Sequence, residues 1–96
     1  MAMFKSVLIE MRRHVRAGRL TLPIHAREEM INDKLTTSDI ENGILRGEII
    51  ERQWDEKWQE WKYVIVGRAL DGRSIEIVAK FGRRDDTLVI TVYRIF

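Results

Sequence analysis

Three kinds of side chain in this 96-residue chain can do chemistry. His25 is one of two histidines, and an imidazole that titrates near neutral pH can give or take a proton in a reaction at pH 7. The competing reading is a histidine held near a helix start by a structural hydrogen bond. Glu76 lies between Ile75 and Ile77 in an alternating segment, where a carboxylate on a partly apolar sheet face suits a general acid or base. A cross-strand ion pair with Arg68 or Lys80 would account for it equally. Arg68, Arg73 and Lys80 can bind a phosphate or neutralise charge developing on one. Trp54, Trp58 and Trp61 crowd one short stretch, offering either faces for base stacking or cover for a small core or interface.

Other chemistries are excluded or weakened. With no cysteine there is no disulfide framework, no thiol nucleophile and no thiolate zinc site. His14 and His25 have no histidine three or four residues away, so no metal site and no cofactor is expected. No glycine-rich phosphate loop and no Gly-x-Ser-x-Gly motif occurs.

These residues need a scaffold, and the length suits a single domain, taken as 1–96. Residues 3–17 predict a basic amphipathic helix with Phe4, Leu8, Met11 and Val15 inward, stopped at Gly18. Leu20-Thr21-Leu22 reads as a short extended piece leading to Pro23. A second helix runs from about Pro23 to Asp33, with Ile24, Met30 and Ile31 as inward candidates. Thr36 or Thr37 caps a third helix carrying Asp39 in its first turn and ending at Gly47.

The pattern then changes to strands. These are Glu48–Gln53, Glu60–Leu70, Arg73–Phe81 and Thr87–Ile95, with Asp71-Gly72 as the hairpin signal between the middle two. In the last strand Leu88, Ile90 and Val92 look like core. Arg68, Glu76, Lys80, Thr91 and Tyr93 then share the face away from the helices. The predicted fold is α+β, with three N-terminal helices followed by a four-stranded antiparallel sheet.

Charge is uneven along the chain although the formal net charge is only +2. Residues 1–19 hold five basic and one acidic side chain, residues 20–60 five and ten, and residues 61–96 seven and four. A basic surface built from the two ends would favour phosphate-bearing partners. No apolar run is long enough for a membrane helix, and Lys5 and Glu10 interrupt the N-terminus too early for a secretory signal. A cytoplasmic protein with no membrane partner is therefore expected.

The order of short motifs is also informative. Leu22-Pro23-Ile24-His25-Ala26-Arg27-Glu28-Glu29-Met30, then Thr36-Thr37-Ser38-Asp39-Ile40, then Gly47-Glu48-Ile49-Ile50-Glu51, resembles domain-of-unknown-function family 4258. Gly67, Asp71-Gly72-Arg73, Ile77-Val78 and Thr91-Val92-Tyr93 continue the likeness, which covers residues 20–94. The resemblance implies a RelE/barnase-like nuclease fold and the activity of many such relatives, metal-independent RNA cleavage by a toxin held by an antitoxin. It carries over His25, Thr91, Tyr93 and Arg73 as site positions.

On this reading His25, Glu76, Tyr93 and Arg73 are catalytic, while Lys80, Arg68 and Thr91 hold substrate. RNA or the ribosome, an antitoxin and further copies of the chain are the partners expected. Pro23, Glu29, Asp33-Lys34 and Glu76 stand where the family more often has Thr, Arg, Arg-Gly and His. Those departures favour the alternative, a non-catalytic RNA- or protein-binding module.

Overall fold

The computed structural model describes residues 4–95, so the predicted start of the first helix at residue 3 lies outside them. Helix α1 (Lys5–Arg16) buries Leu8, Met11, His14 and Val15, one side of a helix at steps of three and four. Helix α2 (Ile24–Asn32) follows Pro23, whose fixed φ suits the entry to a helix. It buries Ala26 and Met30, one turn apart. Ile24 and Ile31, expected inside, are each 75% exposed, because α2 is short and turns only its narrow Ala26–Met30 side to the sheet. Helix α3 (Thr37–Arg46) starts in a capping box. The Thr36 hydroxyl accepts from the Asp39 N–H, and the Asp39 carboxylate accepts from the Thr36 N–H. The α1 side chain of Arg12 closes the other end, donating to the carbonyls of Ile44 and Gly47.

The sheet corrects the predicted fold. It has five strands and is mixed, in the order β1-β5-β4-β3-β2. Strand β1 (Leu20–Thr21) runs parallel to β5 (Thr87–Arg94), pairing Leu20 with Thr87 and Thr21 with Leu88. Because β1 lies between α1 and α2, the helices do not all precede the strands. Two residues carry no alternation to read, and their partner lies at the far end of the chain. Strands β2 (Glu48–Asp55), β3 (Glu60–Arg68), β4 (Ser74–Phe81) and β5 form the antiparallel remainder. Gly72, at φ +93°, makes the β3–β4 turn that Asp71-Gly72 announces.

One sheet face packs against the helices, through Tyr63, Ile65, Ile75, Ile77, Ala79, Val89 and Val92. A bulge in β5 interrupts the expected alternation. Val78 faces Thr91 while Ala79 faces Val89, so Ile90 is supernumerary. Thr87 and Val89 before the bulge and Val92 after it point to the core, whereas Leu88 and Ile90 are only half-buried. The face away from the helices carries Arg68, Glu76, Val78, Lys80, Thr91 and Tyr93.

The two sheet margins differ. Along β5, β1 covers only the first two residues. Beyond it α2 supplies acceptors for the unpaired strand: Glu29 takes the Val92 N–H at 3.0 Å and Asp33 takes the Arg94 N–H at 3.0 Å. At the opposite margin β2 pairs with β3 on one side only. Among the described residues no helix is long and apolar enough to cross a membrane.

Candidate functional site

The candidate residues fall at two ends of the open face. At one end, His25 stands in the first turn of α2, its side chain 70% exposed, with Nε2 3.5 Å from Glu29 Oε2. The Thr91 hydroxyl donates to the same carboxylate at 2.6 Å. Tyr93 lies two residues further along β5, half-exposed, and pairs across the ladder with Glu76 of β4. Glu29 stood out in the sequence only as a departure from the family's usual Arg, yet it links His25 to Thr91 and accepts from the open edge of β5 at Val92. The His25-x-x-x-Glu29 spacing on one helix face was the available signal.

Arg73 is elsewhere and engaged. Its Nε donates to Asp71 Oδ2 at 2.7 Å, and its two terminal nitrogens donate to the carbonyls of Asp33 and Lys34 at 2.7 and 2.8 Å. The guanidinium therefore closes the C-terminal end of α2, where helix carbonyls lack partners. Arg73→Ala is expected to lower stability by about 2 kcal/mol in urea unfolding, with no recovery in Arg73→Lys, because one ammonium cannot reach all three acceptors. Arg68 is exposed and donates to the Gly72 carbonyl at 3.0 Å.

Lys80 marks the other end, four residues from Glu76 on the same strand and so roughly 13 Å away. Its ammonium pairs with the Glu60 carboxylate and lies 5.8 Å from the Trp58 ring centroid. Here a cavity of about 540 Å³ is lined by Trp58, Lys80, Phe81, Arg83, Arg84 and Leu88, with others. Arg19 adds a further cation, donating to the Arg84 carbonyl at 3.3 Å. The acids of the neighbouring turn are committed. Asp86 accepts from the Thr21 hydroxyl at 2.6 Å and the Arg84 N–H at 3.2 Å, and Asp85 pairs with Arg13 and His14. Among the described residues, no ion pair involves Arg83 or Arg84. These two arginines fall between the strands read over Arg73–Phe81 and Thr87–Ile95, and their adjacency is the sign of a cationic site that the sequence offers.

The three tryptophans do not form one stack. Trp54 and Trp61 meet edge to face, centroids 5.0 Å apart, with the Arg52 guanidinium 4.0 Å over Trp61. Trp58, in the β2–β3 turn, is the one at the cavity, 57% exposed.

His14 is a buried titratable group outside both ends. Nδ1 lies 3.0 Å from Thr87 Oγ1 and Nε2 lies 3.1 Å from Asp85 Oδ1. Hydrogen bonds from His14 and then Arg13 hold the Asp85 carboxyl below its ordinary value, and the bond from Arg13 does the same for Glu10.

Neither the curated proteins nor the solved structures gave a match. A family model described as a domain of unknown function, DUF4258, matches residues 24–94, from the first residue of α2 to the last of β5. Its span takes in His25, Glu29, Glu76, Thr91 and Tyr93 as well as Trp58, Lys80 and the two cavity arginines, and leaves out α1. The chain belongs to the DUF4258 family.

Proposed function

We propose that this protein binds single-stranded RNA, with the Trp58 cavity as the anchoring point. The observation that carries the reading is an exposed indole beside Arg83 and Arg84, in a cavity also lined by the Lys80–Glu60 pair and Asp86. An aromatic face stacks on any base, and neighbouring cations neutralise the phosphates on either side of it. The pairing of Asp85 with Arg13 and His14 supports the reading, since of the two acids in the turn only Asp86 is left to face the two arginines. Fluorescence anisotropy with a labelled oligoribonucleotide at several salt concentrations tests it. Trp58→Ala should weaken binding by about 1–3 kcal/mol, and Arg83→Ala/Arg84→Ala should flatten the salt dependence by up to about two contacts. Binding that ignores both variants would refute the proposal.

A second reading, cleavage of the bound strand, is favoured by the chain from His25 through Glu29 to Thr91, with Tyr93 and Glu76 beside it. In metal-independent transesterification a base removes the ribose 2′-OH proton, the 2′-oxygen attacks the adjacent phosphorus, and the departing 5′-oxygen takes a proton. Glu76 and His25 would divide the base and acid roles, with Glu29 orienting the imidazole and Tyr93 the phosphate. Such an enzyme would need an antitoxin partner to hold it in check. RNA incubated with EDTA should then yield 2′,3′-cyclic phosphate ends, DNA should survive, and His25→Ala should abolish cutting. Tight binding by folded protein without cleavage would leave the binding module alone standing.

A further inference from the structure

We propose that Glu10, His14 and Asp85 form a binding site for one divalent transition-metal ion, Zn²⁺ being the best suited. The three side chains each offer a donor atom, all within 4.8 Å of one another. The two distances from the imidazole are close to those a small ion requires. With metal–nitrogen and metal–oxygen bonds near 2.0–2.2 Å, ligand atoms at tetrahedral corners lie about 3.4 Å apart. His14 Nε2 is 3.6 Å from Glu10 Oε2 and 3.1 Å from Asp85 Oδ1. Two carboxylates and a neutral imidazole balance a charge of +2, and the nitrogen donor favours Zn²⁺ over Mg²⁺ or Ca²⁺, which take oxygen ligands.

The placement is fixed from outside the site as well. Glu10 and His14 are four residues apart on one face of α1. Asp85 comes from the β4–β5 turn with φ +54°, a backbone form that aspartate tolerates better than most residues. His14 is 2% exposed, so its ring cannot swing away, and a cavity of about 210 Å³ beside it gives an entry path and room for a water as fourth ligand. The Thr87 hydroxyl, 3.0 Å from Nδ1, serves both forms of the ring. It can donate to Nδ1 while Nε2–H binds Asp85, or accept from Nδ1–H while Nε2 turns its lone pair to a metal.

One group competes. The Arg13 guanidinium bonds both carboxylates, to Glu10 at 2.8 Å and to Asp85 at 3.2 Å. Loading the site therefore exchanges an exposed guanidinium for an ion, and this gives the proposal its sharpest test.

The experiment is a Zn²⁺ titration of chelator-stripped full-length protein against a chromophoric indicator, repeated with Co²⁺ for the intense visible bands of four-coordinate cobalt. Wild type should take one ion per chain. Asp85→Asn and Glu10→Gln, both surface changes, should weaken binding by at least the roughly tenfold that loss of even an outer partner causes. Arg13→Ala should tighten it, and His25→Ala should leave it unchanged. No stoichiometric uptake by either wild type or Arg13→Ala would overturn the proposal. So would binding that Asp85→Asn leaves intact, or that His25→Ala removes.

Discussion

Replacing Asp39 by alanine is expected to destabilise the protein by about 3 kcal/mol, from a lost helix cap plus an unpaired buried amide. This carboxylate is only 6% exposed and accepts three hydrogen bonds from Thr36 and Leu70. The Leu70 bond, at 2.8 Å, ties the start of α3 to the β3–β4 turn. Burial pushes the Asp39 carboxyl up, but the bonds from Thr36 and Leu70, with Arg73 nearby, outweigh it and leave it below the ordinary 3.8. Because the folded value is the lower one, the contribution is present above pH 3.8 and disappears as the pH falls from there through the folded value. Urea unfolding of wild type and Asp39→Ala should therefore give a gap at neutral pH that narrows in strong acid. A constant gap would show that shape, not charge, matters at this position.

Gly67→Ala should be at least as damaging. A Cβ at Gly67 would lie 2.4 Å from the Gly43 carbonyl oxygen and 2.8 Å from its Cα, both backbone atoms of α3. Relief requires moving the helix off the sheet, so the loss should reach or exceed about 3 kcal/mol, the upper range for overpacking. That is a large share of the roughly 5–15 kcal/mol holding a small domain folded. The reciprocal change is the control. At Gly43 a Cβ meets the Cδ1 atoms of Ile77 and Ile75 at 2.9 and 3.0 Å, side-chain ends that can rotate. Alanine there also gains up to about 1 kcal/mol of helix propensity. Thermal unfolding should thus find Gly43→Ala near wild type and Gly67→Ala far below it. Equal losses would mean that the contact yields from either side.

Local signals in the sequence were legible where one short stretch determines the outcome. Thr36 with Asp39 started α3, and Asp71-Gly72 made the hairpin. Signals failed where the deciding partner was distant. The pairing of Leu20-Thr21 with residues 87–88 leaves no local pattern, and the added residue Ile90 reverses the phase of β5 after its second half has been counted. Side-chain type was a poor guide to availability. Arg73 suggested a phosphate ligand but spends three N–H groups on two carbonyls and Asp71, whereas Arg83 and Arg84, in a turn, line the cavity. His14 has no histidine at metal-ligand spacing in the sequence, and its partner Asp85 is 71 residues away.

The unequal margins of the sheet also set a limit on self-association. Exposed strand edges are templates for adding further strands, and a sheet open on both sides can lengthen without end. Here Glu29 and Asp33 already occupy donors on the β5 side, so among the described residues β2 is the long open margin, while the free side of β1 offers only Leu20–Thr21. Two copies that meet β2 to β2 would each present outward only the two-residue edge of β1 and a β5 edge that α2 already engages. Beyond such a pair, growth into a fibre by this route has only that short edge to build on.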